Sequence, residues 1–468
     1  MPLKYLLEGA YWLYDFADRA RMSRQSRSYL EHSQRQRFRR LVRFAQRHSP
    51  YYAALIKRLG IDPRNCQVQD FPVITKQEVA THFDQIVTDR HIRRQGLERF
   101  VEHSSDPTEL YQDRFYVVHT SGSSGFVGYY VYTIREWIRG CSQQVRFLGR
   151  LALRRRMAFV GAAGGHYTGA SLALTGTRPV NRLFFNCRAY DVNRPISEVV
   201  QELNAFQPRV LTGYGAALYV LALEQIAGRL QIRPDRIVNS GEPMLSGSRP
   251  FIEQAFQAPI SNVYACSEHL FMGASRDQQS GLMLFEDDLI YELFDHHACV
   301  TNLFNRTMPL IRYRMDDALH AQAADATTSG SRGASPFTVV RDVVGRCERP
   351  IVLRNELGED DFIHPLVMTE LVARHLLAFQ LRILDHTSFV LRAKLEPNLT
   401  AVQREACYHD MHQYLMRVLK SKRMDRSVRY QIEEVDGFQV DHKSGKFRLI
   451  ETPDTYESLL HQRTNRAA

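Results

Sequence analysis

From residue 115 onward, short apolar runs of strand length alternate with longer helical patterns. This alternation restricts the fold more than any other feature of the chain. Met157-Ala-Phe-Val160 reads as one strand and Arg236-Ile-Val-Asn239 as another, while Val210-Leu211 is followed by a helical pattern over 216–228. Strands punctuated by helices point to βαβ architecture. Before residue 115 helical periodicity dominates 1–60 and 75–100, with Ser49-Pro50 and Asp62-Pro63 as stops.

Residues 318–336 break the pattern: they are rich in Ala, Thr, Ser and Gly and read as an exposed loop or short disordered insert. Val339-Val340, Val343-Val344 and Ile351-Val-Leu353 are strand-like, and a helix is expected at about 365–379. Strands follow near 381–384 and 388–394, a helix near 400–419, and strands near 428–434 and 446–450. The expected class is therefore α/β, with a large domain over 1–345 whose β-sheets are flanked by helices. It includes a helical Arg-rich extension, 1–48, and the insert, 318–336. A small α+β domain over 346–468 completes the chain.

With 468 residues, 44% hydrophobic and 24% charged, the chain can bury a large core, and wholesale disorder is excluded. Its seven cysteines are dispersed, with no C-x-x-C pair, which fits a reducing, cytoplasmic setting better than a disulfide framework. Glu8 and Asp15 interrupt the apolar residues of 1–22, short of signal or spanning length. A helix packed on its own protein is favoured there over a peripheral membrane helix. Much of the net charge of +10 lies early, in Arg19, Arg21, Arg24, Arg27, Arg35, Arg37, Arg39, Arg40, Arg43 and Arg47. Apolar residues interrupt them at helical spacing, so a solvated helix face is favoured over a nucleic-acid footprint.

Several signatures fail. Residues 437–444 have His442 where a P-loop needs its second glycine, and Gly213-Tyr-Gly215 lacks the third glycine of a dinucleotide fingerprint. No G-x-S-x-G elbow occurs, and neither His409 with His412 nor His296 with His297 has clustered metal-ligating partners.

An ordered series survives. Thr120-Ser-Gly-Ser-Ser-Gly125 has the composition of a linker, yet Phe115–Val118 before it and Tyr129–Thr133 after it are strand-like. Hydroxyls and glycine-exposed N–H groups in such a loop suit an anion. Later come Ser240-Gly-Glu-Pro243, Tyr264-Ala-Cys-Ser-Glu268, Ile311-Arg-Tyr-Arg-Met-Asp-Asp317, Val344-Gly-Arg-Cys-Glu348 and Lys443-Ser-Gly-Lys-Phe-Arg448. In this order they resemble the acyl-adenylate-forming (AMP-binding) enzymes, in the phenylacetate–coenzyme A ligase branch. That family's motifs read T-S-G-[ST]-T-G-x-P, G-E-P, Y-G-x-T-E, I-R-Y-R-x-G-D, G-R-x-D-D and a C-terminal G-K. Ser49-Pro-Tyr-Tyr52, Phe71-Pro-Val-Ile-Thr-Lys76 and Gly358–Pro365 extend the likeness, so that it covers about 45–452.

The resemblance implies that a carboxylic acid, aryl or arylalkyl, is activated by ATP and Mg²⁺ and passed to a thiol, coenzyme A. Thr120, Ser121, Gly122, Ser123, Ser124 and Gly125 would hold the leaving phosphates. Gly241, Glu242 and Pro243 would lie near adenine, and Tyr264 would stack on it. Ser267 would meet the α-phosphate and Glu268 would hold Mg²⁺. Asp317 would accept from the ribose hydroxyls, with Arg346 close by. Lys446, on a mobile small domain hinged at Glu348, would bridge carboxylate and α-phosphate. His166, Tyr167 and Tyr214 would line the acyl pocket. No zinc is expected. The family's motifs are altered here at Phe126-Val127, Ser124, Ser267, Asp316, Glu348 and Arg349; Asp316 stands where the family has a glycine, which can mark a positive φ. Alternatives are transfer to a carrier-protein phosphopantetheine or an amine, and a degenerate nucleotide-binding protein.

Overall fold

The computed structural model describes residues 3–120, 127–148, 155–177, 181–183, 185–191, 196–241, 244, 248–275, 281–321, 335–344, 351–356, 358, 360–363, 368, 371, 373–421, 423–438 and 449–451. The chain forms two compact units, 1–243 with 252–344, and 244–251 with 345–468.

The first unit begins with helices α1 (Leu3–Met22) and α2 (Arg27–His48). Ser26 caps α2 by accepting from the Tyr29 N–H, and Ser49 caps the next helix, Pro50–Leu59, which has Pro50 in its first turn. That is how Ser49-Pro50 acts as punctuation: the hydroxyl satisfies an orphan N–H, and proline has none to satisfy.

The strands that follow are β1 (Phe115–His119), β2 (Tyr129–Thr133), β3 (Arg155–Gly161), β4 (Phe185–Asp191), β5 (Val210–Gly213), β6 (Arg236–Ser240), β7 (Ile260–Cys266), β8 (Leu270–Ser275) and β9 (Leu282–Leu284). Then come β10 (Leu289–Leu293), β11 (Ala298–Asn302), β12 (Tyr313–Met315), β13 (Ala318–Ala321) and β14 (Val339–Val344). A nine-stranded sheet runs β13-β14-β9-β8-β7-β6-β5-β3-β4. From β4 to β7 all neighbours are parallel; from β7 to β13 all are antiparallel. β3 pairs with β4 on one side and β5 on the other, so the crossover direction reverses there. Ligands of open α/β sheets bind beyond the carboxyl ends of strands at such a reversal. The pairs β1-β2 and β10-β11-β12 form two smaller sheets.

The arginine-rich extension divides its charge. Arg35, Arg40, Arg43 and Arg47 are exposed on α2. Arg19 is not: it is fully buried, 2.5 Å from Asp287 and also paired with Asp288. Arg37 bonds Asp288 at 2.7 Å, Arg139 bonds Asp15, Asp18 and Asp288 at 2.8, 2.7 and 2.9 Å, and Arg146 bonds Asp287 at 2.9 Å. A solvated face therefore describes Arg35, Arg40, Arg43 and Arg47 but not Arg19 or Arg37. Guanidinium groups tolerate burial when several carboxylates meet their fork of donors.

In the second unit, β15 (Ile351–Arg354) pairs with β16 (Asp360–Ile363). β17 (Leu376–Asp385), β18 (Ser388–Leu395), β19 (Arg429–Glu434) and β20 (Ile450–Glu451) form a sheet ordered β19-β18-β17-β20. The helix Ala401–Ser421 places Cys407, Met411, Leu415 and Leu419 in one core with Leu381, Ile383, Phe389 and Leu391. Residues 376–379, expected as the end of a helix, are strand. Leu376-Leu-Ala-Phe has good helix formers, but pairing along β18 with Phe379, Leu381 and Ile383 turned into the core overrides that preference. The 318–336 segment likewise begins as strand: Ala318 and Leu319 pair with Val344 and Val343. Residues 322–334 and 446–448 lie outside the described residues.

Candidate active site

The described candidate residues cluster at strand ends because the parallel strands all finish on one edge. β5 ends at Gly213, β6 at Ser240 and β7 at Cys266, each followed directly by a singled-out stretch. Gly213 is required by close approach: a Cβ there would lie 2.4 Å from the Val160 carbonyl oxygen. Gly241 has φ +85°, and a Cβ on it would meet the Tyr214 ring at 2.7 Å. Two motifs separated in sequence are thus fitted to each other at one edge.

Tyr264, in β7, and Asp317, between β12 and β13, are both buried, and the tyrosine hydroxyl donates to the carboxylate at 2.5 Å. Burial, and the charge of Asp317 beside it, push the Tyr264 phenol well above its usual range, so it remains a donor. Glu268 is buried at the end of β7; the Tyr313 hydroxyl donates to it at 3.3 Å, and Tyr130 and Tyr313 share a hydrogen bond of 3.0 Å. Burial, reinforced by Glu268, raises Tyr313 and Tyr130 as well.

Ser267 ties the strand ends together. Its carbonyl accepts from Tyr132 at 2.7 Å, its hydroxyl lies 2.6 Å from that of Thr168, and it donates to the His119 carbonyl at 3.3 Å. Leu270, which opens β8 after this turn, has φ +59°, a costly conformation for leucine, and is completely buried. Next to Glu268, His269 is fully buried, and burial depresses its pKa to about 4. Asp316 does not take a positive φ; in that segment Arg312 does, at 55°. An aspartate where the resembled motif has glycine therefore brings no positive-φ strain at Asp316.

β1 and β2 form a hairpin running from Phe115 opposite Thr133 to His119 opposite Tyr129. Thr120 closes its base: its N–H donates to the Gly128 carbonyl at 3.0 Å, and its hydroxyl accepts from the Gly128 N–H at 2.9 Å. His119 donates through Nδ1 to the Thr120 carbonyl at 3.2 Å, and its ring lies 4.6 Å from that of Tyr167. Ser121, Gly122, Ser123, Ser124 and Gly125 lie outside the described residues, as do Glu242, Pro243, Arg346, Glu348 and Lys446.

Of the proposed pocket residues, His166 is fully buried, 2.9 Å from the Ser104 hydroxyl, which donates to Glu109 at 2.5 Å. With Phe100 packed at 4.7 Å, His166 anchors its loop. Tyr167 is half-buried, and Tyr214 is buried edge-on to Phe159. Tyr130, Tyr132, Thr168 and Tyr313 were not singled out as site residues. Tyr313 stands inside a quoted motif and was legible; Thr168 carried no local signal.

Among the described residues no three or more His, Cys, Asp or Glu side chains gather to hold a metal ion. Glu268 still suits Mg²⁺, which needs only one or two carboxylates when phosphate oxygens complete its shell.

No family model matches the chain. Protein CapK of Staphylococcus aureus is 22% identical over 306 residues, covering 62% of this chain and 62% of CapK, less than two thirds of that relative's length. A solved 2-hydroxyisobutyryl-CoA ligase, in the postadenylation state with R3-HIB-AMP, superposes with a TM-score of 0.69 at 18% identity, over 96% of this chain and 94% of that one. The same ligase with 2-HIB-AMP and CoA in the thioesterification state gives 0.55 at 18% identity, over 95% and 94%. The chain has the fold of this CoA ligase.

Proposed function

We propose that this chain joins a carboxylic acid to a thiol, coenzyme A, through an acyl-adenylate. The observation that supports it most is the placement of Tyr264 near the end of β7 and of Ser267 and Glu268 in the turn that follows, with Asp317 bonded to Tyr264. In the first step a carboxylate oxygen attacks the α-phosphorus of ATP, and the bond to pyrophosphate breaks. Two anions must meet, so the protein's task is to hold and neutralise them. Asp317 accepts from the ribose, Tyr264 covers adenine, and Ser267, whose hydroxyl otherwise rests on Thr168 and the His119 carbonyl, meets the α-phosphate. The hairpin loop that begins at Thr120 holds the β- and γ-phosphates. Glu268 would hold Mg²⁺, and the ion would supply positive charge against the phosphates. Lys446 bridges the carboxylate and the α-phosphate. In the second step the thiolate attacks the acyl carbon and AMP leaves.

We further propose an aryl or arylalkyl acid, with Tyr167 and Tyr214 beside the acyl group at the sheet's crossover reversal. ATP–pyrophosphate exchange driven by a panel of aryl, arylalkyl, 2-hydroxy and straight-chain acids tests both levels. Exchange with aryl acids alone is the expected result. Exchange only with the aliphatic acids removes the substrate reading, and none from a folded sample that binds ATP removes the enzyme. Competition between coenzyme A and carrier proteins for the adenylate then identifies the acceptor.

A further inference from the structure

Helix α1 buries charge on its inner face and exposes large apolar side chains on its outer one. Its inward stripe, at helical spacing, is Glu8, Trp12, Asp15 and Arg19, all buried. Its outward stripe carries Leu7, Leu13 and Tyr14, which are 48%, 71% and 64% exposed, with Ala10 and Ala17 exposed between them. A surface helix ordinarily has the reverse arrangement. The inner face is shared: Trp12 and Met22 are buried with Tyr11 and Phe16 packed beside the core, and the ion pairs of Asp15 and Arg19 take the remaining positions.

Charge is sorted in the same sense. Every acid of α1 and α2 is withdrawn or paired: Glu8 is buried, Asp15 bonds Arg135 and Arg139, Asp18 bonds Arg21 and Arg139, and Glu31 bonds Arg27. Arg21, Arg24, Arg27 and Arg35 remain exposed. Arg21 lies two turns beyond Tyr14 on the same stripe and donates to the hydroxyl of Tyr29, itself 41% exposed, at 2.8 Å. The outer surface is thus apolar along α1 and cationic at its end.

We propose that the outer face of α1 rests on a membrane surface of anionic lipids. Leu7, Leu13 and Tyr14 enter the acyl boundary, and Arg21, Arg24 and Arg27 meet the phosphates. A lipid boundary accepts protruding side chains such as Leu13 without a matching pocket. The contact is peripheral: among the described residues no helix is long and apolar enough to cross a membrane. Three large apolar side chains give weak attachment, so the anionic headgroups are needed and added salt weakens it. Because the polar stripe is held by ion pairs to the protein, the helix keeps its form away from the membrane.

Vesicle flotation of the full chain tests this. The chain should float with vesicles of phosphatidylcholine and phosphatidylglycerol, much less with phosphatidylcholine alone, and less again at high salt. Leu13→Glu and Tyr14→Glu should each lower binding roughly tenfold, since a charge at the acyl boundary is costly. Both side chains already face water, so an unchanged thermal midpoint and unchanged ATP–pyrophosphate exchange should accompany the loss. Absence of flotation by the unaltered chain, or equal flotation by both variants, overturns the proposal. A dimer that Leu13→Glu dissociates gives the face to a second copy and overturns it too.

Discussion

The Tyr264 hydroxyl donates to Asp317 across 2.5 Å, joining the end of the parallel sheet to the turn after β12. The bond holds a buried carboxylate in one orientation, with the tyrosine ring fixed beside it. Tyr264→Phe keeps the ring and removes the donor. A hydrogen bond to a charged group is worth about 1.5–3 kcal/mol. If Asp317 receives the ribose, KM for ATP should rise roughly tenfold or more on losing that orientation, with kcat less affected. Exchange kinetics at varied ATP check this, and an unchanged KM would remove Asp317 from the nucleotide site.

Tyr313 stands to Glu268 as Tyr264 does to Asp317. Its hydroxyl donates to the carboxylate at 3.3 Å and is itself bonded to Tyr130. Tyr313→Phe should raise the Mg²⁺ concentration needed for half-maximal exchange by about tenfold, the size common for a group that orients a ligand. Glu268→Gln should lose more, and chelation by EDTA should abolish exchange. A Tyr313→Phe enzyme with unaltered Mg²⁺ dependence would make the contact one of packing alone.

Lys446 lies outside the described residues, and its role rests on the motif resemblance. Lys446→Ala should slow adenylation about 10²-fold, as expected for one transition-state charge contact. Near-normal rates would pass the role to Lys443, and single-turnover formation of the adenylate distinguishes the two.

The βαβ alternation was legible because buried parallel strands carry continuous apolar runs, and Val210-Leu211 and Arg236–Asn239 do form β5 and β6. The hairpin around Thr120 was legible for a related reason: its flanks are β-branched and aromatic. Residues 376–379 misled because leucine and alanine favour helix locally, whereas strand pairing with β18 is decided at a distance. The tyrosine beside Glu268 was visible as a motif letter, but its hydrogen bond was not. Arg19 was hidden most completely. In sequence it is one of ten arginines in a row of helices; only the fold brings Asp287 and Asp288 to it.

That last cluster gives a prediction about stability. Burial alone would raise the Asp287 carboxyl, but Arg146 and Arg19 overcome it and hold the group well below the carboxylate range. Asp288 is held below it likewise, against its own burial, by Arg139, Arg19 and Arg37. A carboxylate depressed in the folded state contributes its full stabilisation above the unfolded pKa, about 3.9 for Asp. The contribution is lost as pH falls through the folded value. Stability should therefore be insensitive to these groups from neutral pH down to about 4 and decline below that. Asp287→Asn removes the charge at every pH and leaves Arg19 and Arg146 short of a buried partner. Breaking one partner of a buried pair costs about 3–5 kcal/mol. The exposed Arg21 makes a useful contrast, since its pair with Asp18 is partly solvated. Arg21→Ala should cost no more than about 1 kcal/mol. Urea unfolding at neutral pH separates the two variants. Equal midpoints for both would mean that the buried cluster contributes no more than a surface ion pair.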